Sequence, residues 1–232
     1  MLFDPFRRKI NYLRISITDR CNLRCRYCMP EEGISLIPHG EILTYEEILR
    51  IVQVFAAEGI SKVRLTGGEP LVRKGIVNFV SCLTQIKEIK DLSLTTNGVL
   101  LREFAQPLKK AGLKRINISL DSLRKEKFCH IARKDDFERV WGGIEEALRV
   151  GLSPIKINMV AIRGVNDDEI ESFARLTLGL PLIVRFIEYM PSGNGEEWNQ
   201  SDILTIPQIM SHLKNVGQLI PIPSDRWDGP AK

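Results

Sequence analysis

Six short runs rich in β-branched residues recur along the chain, and longer stretches with helical periodicity lie between them. This alternation limits the fold more than any other feature. The runs are 13–18 (LRISIT), 62–67 (KVRLTG), 91–97 (DLSLTTN), 114–121 (KRINISLD), 154–162 (PIKINMVAI) and 182–190 (LIVRFIEYM). Helical patterns fill 44–59, 73–87, 100–111, 136–150 and 167–179. In the first of these, Ile48, Ile51, Val52 and Phe55 recur at the spacing of one helix face. Thr44 followed by Glu47 forms a capping box, and Gly59 is a natural stop. Strand–helix units in series call for parallel strands joined by right-handed crossovers. That leaves a doubly wound sheet or a partial barrel of the triosephosphate-isomerase kind.

Successive strand side chains point to opposite faces, so each run splits into two rows. Ile15 and Ile17, Val63 and Leu65, Leu92 and Leu94, Ile116, Ile118 and Leu120, and Ile155 and Ile157 form an apolar row suited to packing against helices. The other row holds Arg14, Ser16 and Thr18; Lys62, Arg64 and Thr66; Ser93, Thr95 and Asn97; Arg115, Asn117, Ser119 and Asp121; Lys156 and Asn158. Parallel strands are normally covered on both faces and read as almost continuous apolar runs. A barrel interior filled with unpaired cations would be costly. The polar row therefore predicts a wet chamber inside the sheet's curve, with Arg14, Lys62, Arg64 and Lys156 as phosphate or carboxylate binders. A flat sheet with one solvated face is the competing explanation, but helical crossovers would cover that face. The expected architecture is thus α/β, a partial (β/α)6 barrel.

The 232 residues read as one domain spanning 1–232, with a loop, a short helix and a Pro-rich tail over 191–232. A net charge of +4 suits an anionic ligand, yet no exposed basic run beyond Arg7-Arg8-Lys9 suggests nucleic acid. No stretch approaches the roughly 18 apolar residues of a membrane span, and the N-terminus has no apolar signal core. A cytoplasmic protein with no nucleic-acid or membrane partner is expected.

Three of the five cysteines, Cys21, Cys25 and Cys28, crowd into TDRCNLRCRYCMP directly after the first strand. Such crowding reads as metal binding or redox chemistry in a reducing compartment, not as a disulfide framework. Structural zinc wants four ligands, usually as two separated pairs, and no fourth lies nearby. Cys82 falls within an apolar helical pattern and is expected to be a small core residue. Cys129 is expected to be a partly exposed free thiol. Three thiolates on a four-iron cluster leave one iron open for chemistry. A structural-zinc binding module remains the non-enzymatic alternative.

The Cys-x3-Cys-x2-Cys spacing, with Tyr27 before the last cysteine, resembles the signature of the radical S-adenosylmethionine (SAM) superfamily. Gly67-Gly68-Glu69-Pro70, Ser119 and Asp121, and Met190 end the second, fourth and sixth strands, where that superfamily binds SAM. TDRCNLRCRYCMP, RLTGGEPLVR, LTTNG, GLKRINISLDSL, GVNDDEI and VRFIEYMPSGN together resemble the GTP 3′,8-cyclase family of molybdenum-cofactor biosynthesis. The resemblance implies a 4Fe-4S cluster on Cys21, Cys25 and Cys28, and SAM contacts from Tyr27, Gly68, Ser119 and Met190. It implies GTP contacts from Arg14, Arg64, Thr95 and Lys156, with Lys62 and Arg185 as further triphosphate candidates. The implied reaction splits SAM to a 5′-deoxyadenosyl radical, removes hydrogen from the GTP ribose and joins that carbon to C8 of guanine. The implied electron donor is a flavodoxin- or ferredoxin-type protein, and the oligomeric state is left open, a homodimer being one candidate. Family members carry a second 4Fe-4S cluster on three later cysteines. Nothing after Cys129 could supply them, so a C-terminally truncated chain, competent for SAM more than for turnover, is expected. Another radical SAM enzyme, acting on a peptide or other small molecule, is the alternative.

Overall fold

All six predicted strands form, and they pair in the order in which the chain makes them. The computed structural model describes residues 1–190 and 200–221; the loop expected after Met190 and the tail beyond 221 lie outside them. The strands are β3 (Tyr12–Ser16), β4 (Lys62–Thr66), β5 (Asp91–Thr96), β6 (Arg115–Ser119), β7 (Ile155–Ala161) and β8 (Leu182–Glu188). Before them, β1 (Leu2–Phe3) and β2 (Lys9–Ile10) make a small antiparallel pair. The helices are α1 (Tyr45–Ala57), α2 (Ile76–Thr84), α3 (Leu101–Lys110), α4 (Lys125–Ala132), α5 (Phe137–Arg149), α6 (Ile170–Gly179) and α7 (Ile206–Leu213).

The sheet runs β3-β4-β5-β6-β7-β8, parallel throughout. A doubly wound sheet would reverse direction at a switch point; this one never does. The sheet also curls. Arg185 on β8 perturbs the ionisation of Arg64 on β4, yet four strand spacings would set them about 19 Å apart in a flat sheet. Curvature brings them together, as the partial barrel requires.

The two rows separate as the alternation predicts. Ile17, Val63, Leu65, Leu94, Ile116, Ile118, Ile155 and Ile157 are buried in the core beneath the helices. On α1 the capping box of Thr44 and Glu47 forms, with Thr44 Oγ1 accepting from the Glu47 amide at 3.2 Å. Its buried stripe is Ile48, Val52 and Ala56, whereas Ile51 is exposed.

Two expectations need correction. Cys82 is exposed, not a core residue. On α2 the buried positions are Ile76, Phe79, Val80 and Leu83, and Cys82 lies on the other side of the helix. The sequence also gives no sign of α4, whose three buried residues, Phe128, Ile131 and Ala132, are flanked by charged residues on both sides. Cys129, on α4, is a partly exposed thiol facing the Asp135 carboxylate at 3.6 Å, as expected.

Leu94 is fully buried at the centre of the sheet, so Leu94→Ala should cost about 2–5 kcal/mol in urea unfolding. Cys82→Ser should stay within about 0.5 kcal/mol of the parent. A Cys82→Ser loss matching that of Leu94→Ala would contradict the placement of α2.

Candidate active site

The cysteine loop lies at the C-terminal end of β3 and is tied to the barrel rim by polar contacts. Gly67 and Gly68 follow β4, and their role is close backbone approach. A Cβ on Gly68 would lie 2.3 Å from the Arg20 carbonyl oxygen, and one on Gly67 would lie 2.6 Å from that of Thr18. The Gly68 amide donates to Thr18 O and the Glu69 amide to Arg20 O, each at 2.7 Å. The glycines thus let the turn run against the segment leading into Cys21, in addition to leaving Gly68 itself exposed.

Glu69 carries the tie further. Its buried carboxylate accepts from the Leu71 amide, from Thr96 Oγ1 at 2.7 Å and from the Asn97 amide at 2.6 Å. Burial raises the Glu69 pKa while these hydrogen bonds pull it down. Asn97 then donates through Nδ2 to Asn22 Oδ1 at 2.8 Å and approaches Cys21 Sγ at 3.7 Å. From beneath, α4 supports the same loop. The Ala132 and Ile131 carbonyls accept from the Arg24 and Arg26 amides, and Arg133 donates to Met29 O at 3.0 Å.

Tyr27 is held by a different element. Its hydroxyl donates to Asp121 Oδ2 at 2.7 Å, and the other Asp121 oxygen accepts from the Val160 amide at 2.9 Å. Burial pushes the Asp121 carboxyl up to about 6 against these two hydrogen bonds. Buried Asn166 anchors the same corner, donating to Asp121 O and Val160 O. Asp121 was expected at a SAM-binding strand end, but its hold on Tyr27 was not, and Glu69, Asn97 and Arg133 were not given individual roles by sequence reasoning. The signal for Glu69 and Asn97 was their place in GGEP and TTNG; Arg133 gave none.

The three thiols share this one loop. Cys25 O accepts from the Cys28 and Met29 amides, which wraps the loop around one turn. Burial first, then neighbouring negative charge, raises all three thiol pKa values, with Cys28 pushed up to about 11. Cys21 and Cys28 both act on Cys25. Bare thiolates are therefore disfavoured here, and bound iron cations would supply the missing compensation. Among the described residues no group of three or more His, Cys, Asp or Glu, the three cysteines included, is arranged to hold a metal ion.

Below the rim, the polar row faces the lumen in tiers set by strand register. Arg14 pairs with Arg64, Arg64 with Ser93, and Ser93 with Arg115. One tier up, Thr95 pairs with Asn117 and Asn117 with Lys156; above that, Ser119 pairs with Asn158 and Asn158 with Arg185. The structure therefore brings Arg14, Arg64, Thr95 and Lys156 onto one inner surface, with Ser119 near its top. Met190 follows β8 and is exposed. Burial, and then repulsion from Arg115, Arg185 and Arg14, lower the Arg64 pKa. Arg64 Nε, Tyr12 Oη, Ser93 Oγ, Asn117 Oδ1 and Asn158 Oδ1 are buried without a hydrogen-bond partner. Unsatisfied polar atoms of this kind are uncommon in a finished interior and point to a ligand.

The chain resembles known proteins over nearly its whole length. The radical SAM superfamily profile matches residues 15–177. The GTP 3′,8-cyclase of Alkaliphilus oremlandii is 52% identical over 99% of this chain and 70% of its own length. That of Heliobacterium modesticaldum is 51% identical over 100% of this chain and 71% of its own. In fold, a radical SAM methyltransferase from Sphaerobacter thermophilus matches with a TM-score of 0.68 at 17% identity, covering 88% of this chain and 62% of the other. A methylornithine synthase matches with a TM-score of 0.67 at 18% identity, over 88% and 61%. A rim that carries three thiols on one loop, above a parallel barrel, thus places this chain in the radical SAM superfamily, within the family of its GTP 3′,8-cyclase relatives.

Proposed function

We propose that this chain is the radical SAM core of a GTP 3′,8-cyclase, acting in the first step of molybdenum-cofactor synthesis. The observation that carries the reading is the lumen itself: stacked cations with buried polar atoms left unpartnered, beneath a three-thiol rim. A nucleoside triphosphate supplies the negative charge that such a chamber lacks, and its ribose then lies toward the rim.

Cys21, Cys25 and Cys28 would hold the 4Fe-4S cluster and leave one iron for SAM. When bound, cluster and SAM together supply one-electron cleavage of a sulfonium and so a carbon radical able to abstract hydrogen. The chain's own residues do the positioning. Tyr27, locked by Asp121, fixes the loop beside the cluster. Gly68 offers exposed backbone to the amino-acid end of SAM, Ser119 a hydroxyl on the inner face, and Met190 an apolar side chain at the rim. Arg14, Arg64 and Lys156 bind the triphosphate and Thr95 hydrogen-bonds the nucleotide, which fixes the ribose near the rim. Fixing both reactants this way can supply much of the rate. No described helix is long and apolar enough to cross a membrane.

The direct test is anaerobic incubation of the reconstituted chain with SAM, a one-electron reductant and GTP. Formation of 5′-deoxyadenosine that depends on GTP, with a cyclised nucleotide, supports the reading; SAM cleavage indifferent to GTP overturns it. Cys25→Ala should lose the iron and the visible absorbance of the reconstituted chain, and normal iron content in that variant would refute the ligand assignment. Arg64→Ala should remove charge-assisted hydrogen bonds of about 1.5–3 kcal/mol, weakening GTP by roughly 10–100-fold. SAM affinity should change far less. Equal losses for both ligands would argue against a phosphate role.

A further inference from the structure

Below the tier of Arg14 and Arg64, the floor of the barrel holds a carboxylate where the tiers above hold cations and neutral groups. Asp91 opens β5, and its tier partner on β4 is Lys62, itself paired with Tyr12. Among the described strand residues of the polar row, Asp91 is the only acid. It is engaged from two sides. Arg115 Nε donates to Asp91 Oδ1 and Arg115 Nη2 to Oδ2, each at 2.5 Å, and Lys62 Nζ lies 3.8 Å from Oδ2. These side chains are largely shielded, at 5% exposure for Lys62, 13% for Arg115 and 18% for Asp91. Tyr12 packs under the group, its ring centroid 5.5 Å from Lys62 Nζ and 5.3 Å from Arg64 Cζ.

We propose that Asp91, through its fork with Arg115, is a positioning and specificity residue that sets how deep a polyphosphate tail can descend, and so matches the chamber to a triphosphate. The inference rests on the GTP reading above and goes beyond it. The fork occupies Nε and Nη2 of Arg115 and takes no part of Nη1, so a planar, charged donor is held in a fixed orientation at the Arg64 tier. An anion entering from the rim meets cations at each tier until it reaches the Asp91 carboxylate. There the carboxylate offsets the charge of Arg115, so the attraction that draws the tail down through the upper tiers ends. Without Asp91, Arg115 would lose both bonds of its fork and keep its charge unopposed there, and a longer tail could sink past the depth that leaves the ribose at the rim. The mark of such a stop is discrimination between tail lengths. Loss of affinity for all nucleotides would not show it.

The experiment is calorimetric titration of the full chain with GDP, GTP and guanosine 5′-tetraphosphate at constant ionic strength, for the parent, Asp91→Asn and Asp91→Glu. In Asp91→Asn the affinity for the tetraphosphate relative to GTP should rise by about tenfold, corresponding to about 1.4 kcal/mol. Asp91→Glu, which raises the carboxylate, should shift preference the other way, toward GDP relative to GTP. Ratios unchanged in both variants, equal losses for all three ligands, or shifts of the same sign would overturn the proposal. Should Asp91→Asn fail to fold, Asp91→Glu retains a carboxylate for the fork, and its GDP-to-GTP ratio decides alone. If the parent chain binds none of the three nucleotides, the GTP reading itself fails, and this inference with it. If the parent binds GTP but the variants keep its ratios, only the inference fails.

Discussion

Positive charges facing one another across a confined lumen are the constraint on which the rest of this structure depends. Arg14 and Arg64 are register partners on adjacent strands, and Arg115 and Arg185 are near enough to depress the Arg64 pKa. Only Asp91, among the described strand residues of that row, answers them. Such an arrangement opposes folding, and the apolar row on the opposite face must outweigh it. Val63, Leu65, Leu94, Ile118, Ile155 and Ile157 are fully buried under the helices, each contributing roughly 1.5–3 kcal/mol relative to exposure. The core beneath the helices holds the barrel together so that its lumen can stay polar and poised for an anion.

The rim follows a second logic. A loop bearing three thiols has little apolar content of its own, so buried polar side chains from several elements fix it. Glu69 joins the turn after β4 to the end of β5, Asn97 reaches from there to the cysteine loop, and Asp121 holds Tyr27 from the end of β6. Arg73 adds another tie, donating to Ile17 O at 2.5 Å and Leu43 O at 2.6 Å. Most of these hydrogen bonds are at least partly shielded from water, so losing one partner strands the other. The short sequence blocks GGEP, TTNG and SLDS are thus parts of one hydrogen-bonded frame around the loop.

Much of this was legible in the sequence, and the failures have physical reasons. Strand positions and the two-row split follow from a period of two that burial on one face enforces, as in 62–66 and 115–119. The cysteine spacing is local, so the loop could be read directly. Cys82 was misplaced because most of its neighbours on α2 are apolar, and composition alone does not say which stripe meets the sheet. α4 escaped notice because Phe128, Ile131 and Ala132 span little more than one turn, too short a run to show a period. The Asp91–Arg115 fork was invisible for a different reason. It joins residues on separate strands, and only the register of β5 against β6 brings them together. Gly67 and Gly68 permit close contacts with the chain at Thr18 and Arg20, and the GGEP block alone does not reveal these partners.

The claim that the lumen is an anion chamber can be tested without nucleotide, cluster or turnover. The measurement is the thermal unfolding midpoint of the full chain against inorganic tripolyphosphate, with ionic strength held constant by sodium chloride. Binding to the folded state alone must raise the midpoint with ligand concentration, by about 2.7 kcal/mol at a hundredfold excess over the dissociation constant. The account predicts a saturating rise with tripolyphosphate that matched chloride does not reproduce. A midpoint that follows ionic strength only, with tripolyphosphate and chloride indistinguishable, would contradict it.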